Sequence, residues 1–520
     1  MAVKRDVVIV GSGHNALVAA CYLARDGLDV EVVETDRVLG GAVSTVERWP
    51  GYAVDRGSSA HIMVRHTGIV EDLRLEECGL TYLDMDPWAF APVGTGDKQQ
   101  AITFHVDLDD TYDSIAAVCG HADAAAYLRF VGEWGARNEA VFAAFQDVPT
   151  PGRLGRHLWG AGKGTEVGGL EMSRQFLQPG DQLLDELFDD ERLKTALSWL
   201  GSQSGPPMHE VATADLVGWN ALMHTMPPGR AVGGSGALTA ALAERLRRMG
   251  GVVRLGDGAA AITTDAHGVT GVLTESEEHL ESRAVLAGCH VLTTLELLGD
   301  DKLLQRAKAV RVGNGIGMVV RLGTTGLPHY PGVSSAASYS PHSAMQLIAT
   351  SRNHLRAAHG AFVAGRTPAE PPVLLLSFSA MDPTIAPPGR HNITLWAQWH
   401  PYQLATGEHW KDIREREADR IIAQVDKVAP GFSDTIEHRW VQTPLDLEEE
   451  LGLRRGNVMH VEMGLDEMFA YRPLPELAGY RTPVRGLYLT GASTHPGGGV
   501  FGASGRTAAR VMIAGRRRWR

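Results

Sequence analysis

Hydrophobic and polar positions change period three times in the first 34 residues. After Asp6 comes the apolar run VVIV, then GSGHNA, then an apolar stretch through Leu23 and Ala24, then DVEVVE ending at Glu34. The pattern predicts a strand, a glycine turn, a helix and a second strand. Further along, Tyr127, Phe130, Val131 and Trp134 fall at i, i+3, i+4 and i+7, which predicts a helix with an apolar face. Leu216, Trp219 and Met223 keep helical spacing until Pro227 and Pro228 stop it. Between these two patterns, 150–170 interleaves glycine with Leu154, Leu158, Trp159, Arg153, Arg156 and Lys163, and reads as a mobile loop or lid.

Gly233, Gly234 and Gly236 open a helix expected to run to about Met249. The strand-like VVRL follows, with short strands near 271–273 and 284–286, a return to the first domain. Strand patterns at 317–322, 373–378 and 391–400 imply a second sheet; in the last, Ile393, Leu395, Ala397 and Trp399 alternate on one face. The run 410–428 puts Ala418, Ile421, Ile422 and Val425 on one helical face and is expected to pack on that sheet. GLYLT and GASTHPGGGVFGASG, with a helical tail from Arg506, form a second strand, glycine and helix unit that ends the chain.

The predicted architecture is α/β: a Rossmann-type nucleotide domain interleaved with a substrate domain of mixed sheet and helices. Residues 1–90, 231–300 and 476–520 are assigned to the first domain. Residues 91–230 form a largely helical substrate or lid region, and 301–475 carry the second sheet.

Composition narrows the function. With 49 Lys+Arg against 61 Asp+Glu the net charge is −12, which argues against a nucleic-acid binder. The basic run Arg516, Arg517, Arg518 and Arg520 around Trp519 is expected to be a solvated tail. Cys21, Cys78, Cys119 and Cys289 lie far apart with no CxxC pair, so neither disulfides nor a zinc site is expected, and the setting is reducing and cytoplasmic. The N-terminus leaves no room for a signal peptide, and no apolar stretch approaches the ~20 residues of a membrane span. GxSxG, HExxH and P-loop motifs do not occur, which leaves oxidoreductase as the surviving enzyme class.

The glycine turn carries that class. Gly11 makes the tight turn, Gly13 admits backbone to a pyrophosphate, and Ala16 packs helix against sheet, while the helix N-terminus offers free N–H groups. Glu34 closes the second strand where an acid can bind both ribose hydroxyls, which disfavours a 2′-phosphate. VLGGAV, with Gly40 and Gly41, and GYAVDRGSS, with Asp55 and Gly57, have no role in a nicotinamide-only dehydrogenase. One complete fingerprint implies one bound dinucleotide.

A nucleotide-binding half at the N-terminus and a closing strand, glycine and helix unit at the C-terminus resemble the flavin amine oxidase and phytoene desaturase superfamily. Within it, VIVGSGHNALVAA, VLGGAVSTVERWPGYAVDRGSSAH, SQSGPPM, PPGRAVGGSGAL, DPTIAPPGRHNITLWAQW, GNVMHVEM and GLYLTGASTHPGGGVFGASGR are similar to the FAD-type bacterial β-carotene ketolases. The resemblance implies FAD held by Gly11, Gly13 and Ala16 at the pyrophosphate and Glu34 at the ribose. Gly40, Gly41 and Ser58 follow along the phosphate and ribityl side, and Ala259 meets the adenine. Gly491 and Ala492 would lie against the ribityl phosphate, and a helix opening at Gly499, Val500 and Phe501 would point N–H groups at the flavin O2 and N1. Ala42 stands where many members have a basic residue.

The same resemblance implies a carotene substrate whose ring methylene becomes a ketone, with O2 or a quinone as electron acceptor. Water addition after hydride loss and activation of O2 are both open as the oxygen source. Desaturation of a lipophilic chain and non-catalytic FAD binding are the alternatives. His460, Glu462 and His495 are the candidates for proton handling. Their structural readings are a brace at the glycine turn for His495 and one face of a buried strand for His460 and Glu462. A carotene is membrane-borne, so peripheral docking through the 150–170 stretch, helped by the C-terminal arginines, is expected.

Overall fold

The computed structural model describes residues 4–161, 169–333, 339–516 and 519. The first sheet has five parallel strands in the order Leu487–Leu489, His279–Ala287, Lys4–Val10, Val30–Glu34 and Val252–Leu255. The antiparallel pair Ala259–Asp265 and Gly268–Thr274 extends it alongside the first half of His279–Ala287. Lys4–Val10 is central, with a parallel neighbour on each side, which is why VVIV is an unbroken apolar run rather than an alternating one.

Helix His14–Arg25 buries every residue from Asn15 to Ala24 because two other helices, Ala237–Arg248 and Ala503–Ala514, cover it. The approach of the last of these is close: a Cβ on Gly505 would stand 2.0 Å from the carbonyl oxygen of Asn15. The glycine there is a packing requirement between the two ends of the chain.

The second sheet runs Ile436–Gln442, Gly317–Thr324, His391–Gln398, Val373–Leu376, Met345–Ile348, Ala89–Val93 and Gln100–Phe104. It is antiparallel except for the pairing of Met345–Ile348 with Ala89–Val93. Alternation sorts its side chains. Met318, Val320, Leu322, Ile393, Leu395 and Ala397 form a core with Ala418, Ile421, Ile422 and Val425 of helix Trp410–Val428. The opposite face turns towards a helical layer that includes His121–Phe145 and Glu191–Gly201, where Tyr127, Phe130 and Trp134 are buried. Trp399 leaves the alternation: with φ +65° it lies beyond the strand and joins this helical core instead.

The expected loop at 150–170 is in part helix, Pro151–Ala161, followed by Gly169–Leu177. Glycine costs about 1 kcal/mol per helical position, but here the Thr150 carbonyl accepts from the N–H groups of Arg153 and Leu154, and Arg153 pairs with Asp147. Lys163 and the side chains of Leu158 and Trp159 lie outside the described residues, as do Arg517, Arg518 and Arg520. Of the expected solvated tail, Arg516 pairs with Asp26 at 3.0 Å, with both side chains partly exposed, and the Trp519 indole donates to the Tyr488 hydroxyl at 2.9 Å. No helix among the described residues is long and apolar enough to cross a membrane.

Candidate functional site

A cavity of about 1020 Å³ extends from the C-terminal ends of strands Lys4–Val10 and Val30–Glu34 to the inner face of the second sheet. Ligands of open parallel sheets bind at such strand ends. Gly11, Gly13, Glu34, Gly40, Gly41, Ser58, Ala259, Gly491, Ala492, Gly499, Val500 and Phe501 all line it. The expected dinucleotide residues, drawn from three distant parts of the chain, therefore meet on one wall.

The cradle is built from backbone. A Cβ on Gly13 or Gly499 would meet no protein atom within 4 Å, and one on Gly41 would meet only the Gly13 Cα at 3.9 Å. Packing does not demand glycine at Gly13, whose φ of −59° suits any residue; the space it leaves open is cavity. Gly13 caps helix His14–Arg25 without any side-chain hydrogen bond, so the first N–H groups remain available to a phosphate. Ala16 does not reach the cavity. It is fully buried, and a Cβ on Gly288 would come within 2.6 Å of its methyl group, so it sets the helix-to-sheet distance.

Glu34 organises the turn before it meets any ligand. Its Oε2 accepts from the Ser12 N–H at 2.7 Å and the Ser12 hydroxyl at 2.9 Å, and its Oε1 accepts from the Asp36 N–H at 2.9 Å. The Ser12 Oγ in turn accepts from Gly40 N–H at 3.1 Å, which joins the two glycine segments. Ser58 bonds Ser235, whose hydroxyl also meets His61 Nε2 at 2.7 Å. The Ser235 N–H donates to Asp55 at 2.9 Å, and Asp55 pairs with Arg230. Both members of that pair are buried, so the GYAVDRGSS block is pinned to the middle segment of the chain by charge as well as packing.

The closing helix begins later than expected, at Ala503 after Gly502. Gly499, Val500 and Phe501 precede it as irregular backbone. The Phe501 N–H donates to His14 Nε2 at 3.4 Å, and the Val500 carbonyl accepts from the Val64 N–H. The expected pair of helix N–H groups aimed at the flavin is thus reduced: that of Phe501 is already engaged within the protein.

The three proton-handling candidates separate. His460 lines the cavity, but in a turn at φ +65° rather than on a strand. Its Nδ1 meets the Ser493 hydroxyl at 3.1 Å and its ring stacks on His290 at 5.1 Å. Glu462 is not on the cavity wall; it is half-exposed, with Arg311 3.7 Å away, and burial raises its pKa above the usual carboxylate range. His495 is buried and away from the cavity wall, where its Nε2 donates to the Ala144 carbonyl at 3.1 Å and its own carbonyl accepts from Tyr480. A bracing role fits that position.

Burial pulls His14, His290 and His495 down to about 4 and His61 to about 3, and drives His460 well below its ordinary value. Between those values and the unfolded value near 6.5 only the unfolded chain takes up these protons, so stability is complete above about pH 6.5 and declines as pH falls. Each such histidine contributes about 1.4 kcal/mol per pH unit in that window. Thermal melts from pH 7 to pH 4 are expected to show a steepening fall in midpoint below 6.5; a flat profile would refute the neutral buried histidines.

Residues that the chain pattern did not single out also line the cavity: Asp215, paired with Arg137 at 2.8 Å, and Arg321 on the second sheet. The one sequence signal for Arg321 is its charge inside the apolar run MVVRLG.

A family model for an NAD(P)-binding Rossmann-like domain matches residues 9–73. The chain is 30% identical to pyridine nucleotide-disulfide oxidoreductase domain-containing protein 2 of Rattus norvegicus over 98% of its own length and 93% of the relative's. It is 24% identical to the phytoene dehydrogenase of Streptomyces griseus, with 95% and 92% covered. A putrescine oxidase structure matches in fold with a TM-score of 0.63 at 15% identity, covering 99% of each chain. With its Rossmann-type sheet, its C-terminal closing unit and a relative 30% identical along nearly the whole length, the chain belongs to the family of pyridine nucleotide-disulfide oxidoreductase domain-containing protein 2.

Proposed function

We propose that the protein is an FAD-dependent oxidoreductase that removes hydrogen from an elongated, mainly apolar substrate. The carrying observation is that one cavity joins the glycine cradle to apolar walls, among them Trp219, Met223, Leu374 and Leu376. The donor set fits FAD: open space over Gly13 and Gly41, an uncapped helix N-terminus, and an acid at the ribose position. In this reading Gly11, Gly13, Gly40, Gly41 and Ser58 hold the phosphates and ribityl chain, Glu34 the adenosine ribose, Ala259 the adenine, and Gly491, Ala492, Gly499 and Val500 the flavin end. When bound, FAD supplies the two-electron acceptor, and the electrons leave the protein to O2 or a quinone.

The protein's own contribution is placement and exclusion of water. Phe145, Trp219 and Phe501 pack against one another along the cavity, with ring centroids 5.7 Å apart for Phe145 and Trp219 and 6.1 Å for Phe145 and Phe501. They present flat apolar surface to a hydrocarbon. Of the three proton-handling candidates His460 alone lines the cavity, and burial beside His290 and Arg472 keeps it neutral, so that it offers a hydrogen-bonding imidazole rather than a strong base.

Within this class, oxidation of a β-ring methylene of β-carotene to a ketone is the reading that the sequence blocks support, and desaturation is the alternative. Pigment masses from cells that make β-carotene, with and without the protein, separate them: echinenone or canthaxanthin is expected of the ketolase, since ketolation adds an oxygen that desaturation does not. Unchanged β-carotene would overturn ketolation, and a bound flavin that no lipophilic substrate reduces would leave the scaffold reading. The proposed route for the substrate is a membrane surface, checked by vesicle flotation of the intact protein against one lacking 152–165.

A further inference from the structure

Strand Gly317–Thr324 holds a single charge, Arg321, and every one of its residues is buried. Alternation places Met318, Val320 and Leu322 in the core beneath helix Trp410–Val428 and turns Arg321 to the cavity. Arg321 is 1% exposed and shares that face with Thr394, Trp396, Leu374 and Leu376. Leu374, Leu376 and Trp396 give this face its apolar area, and Glu448, Glu449 and Glu450 line the same cavity.

The guanidinium is incompletely used. Its Nε donates to Gln442 Oε1 at 3.2 Å and its Nη1 to Thr394 Oγ1 at 3.1 Å, while five N–H donors exist. It makes no ion pair with any described residue. Two carboxylates act on it from a distance, and both are otherwise engaged. Asp55 is held by Arg230, by the Thr45 hydroxyl at 2.7 Å and by the Ser235 N–H. Glu450 accepts from Gln442 Nε2 at 2.9 Å. Arg230 adds repulsion. Burial lowers the guanidinium only to about 10, so it stays cationic at neutral pH. Its described neighbours are two neutral acceptors and the Trp440 ring, 6.0 Å from the guanidinium carbon, so no paired anion balances this buried cation, and a planar fork suits a carboxylate.

We propose that Arg321, with Thr394, receives the carboxylate of an apolar acid whose hydrocarbon chain lies along Leu374, Leu376 and Trp396. The inference rests on the oxidoreductase reading of this cavity and narrows its substrates to long-chain acids, which sets it against β-carotene, a hydrocarbon without a carboxylate, as the substrate.

Calorimetric titration of the flavin-loaded protein tests it. The ligands are dodecanoate and farnesoate, which distinguish a straight acyl chain from an isoprenoid one, together with their methyl esters and dodecylamine. At least one acid is expected to bind at least tenfold more tightly than its ester, with the amine weakest. Arg321→Met is expected to erase the acid preference while leaving ester binding unchanged, and Arg321→Lys to restore part of it. Equal binding of acid and ester by the unaltered protein overturns the proposal whether or not either variant folds, as does acid binding that survives Arg321→Met. Failure of the underlying reading looks different: a protein that purifies without flavin yet prefers acids would sink the oxidoreductase assignment and leave the carboxylate site standing. A yellow protein with no acid preference would do the reverse.

Discussion

Gly13→Val yields a folded protein that has lost its flavin. The backbone at Gly13 is in a region open to valine, and a Cβ there meets nothing of the protein within 4 Å, so the branch has open cavity in front of it. What the side chain fills is the opening in front of the helix N-terminus, where a pyrophosphate must come against backbone N–H groups. Flavin absorbance per protein is expected to drop at least a hundredfold, with the unfolding midpoint of the flavin-free protein unchanged. Gly40→Val makes the control. There φ is +102° and a Cβ would stand 2.4 Å from the Val43 carbonyl oxygen, so that variant should fail to fold rather than fail to bind. A yellow, folded Gly13→Val protein would refute the assignment of the N-terminal cradle.

Arg472→Met should cost the fold about 3 to 5 kcal/mol, a large part of the ~5 to 15 kcal/mol that holds a typical protein together. Arg472 is fully buried, and its three nitrogens donate to the carbonyl oxygens of Met459, Val461, Glu462, Glu467 and Ala492. Burial lowers its pKa to about 9, which still leaves it charged at neutral pH. It thus clamps the turn that carries His460 to the closing glycine block. Methionine fills similar volume and leaves those carbonyls without a donor. Lysine, a point charge on a flexible stem, reaches fewer of them and should recover only part of the loss. Denaturant midpoints measure the effect, and a midpoint equal to that of the unaltered protein would show that the carbonyl cage contributes nothing.

The glycine cradle and the carbonyl cage around Arg472 differ in how far the sequence disclosed them. The strand, glycine turn, helix and strand of the first unit were legible because their signals are local, with a turn, a cap and an acid within 24 residues, each tied to a backbone requirement. Three strands of the second sheet were legible from their period, as at Ile393, Leu395 and Ala397; Met345–Ile348, Ile436–Gln442 and the pair Ala89–Val93 and Gln100–Phe104, which opens the stretch assigned as helical, were not. Arg472 was not, since its partners are carbonyl groups, which every residue has, and only the folded chain brings them around one side chain. The Asp55–Arg230 pair spans 175 residues, a separation that no periodicity reports. His460 and Glu462 illustrate a different failure. Residues two apart share a face only on a strand, and the left-handed turn at His460 sends the two side chains to different surroundings. The helix Pro151–Ala161 was hidden by its glycines, whose propensity penalty is outweighed by anchoring at Thr150 and Asp147.

The first sheet also sets a timetable. Its central strand, Lys4–Val10, is made first, and the edge strand Leu487–Leu489 is paired only after nearly the whole chain exists. At about 5 to 20 residues per second, synthesis of the intervening chain takes on the order of 25 to 95 s. During it the nascent polypeptide carries an uncovered flank of helix His14–Arg25, and once His279–Ala287 has paired with Lys4–Val10 its other edge, along Val285–Ala287, still waits for Leu487–Leu489. A chain released before that pairing lacks the wall that Gly491, Ala492 and Gly499 give the cavity and exposes an unpaired strand edge, a template for aggregation.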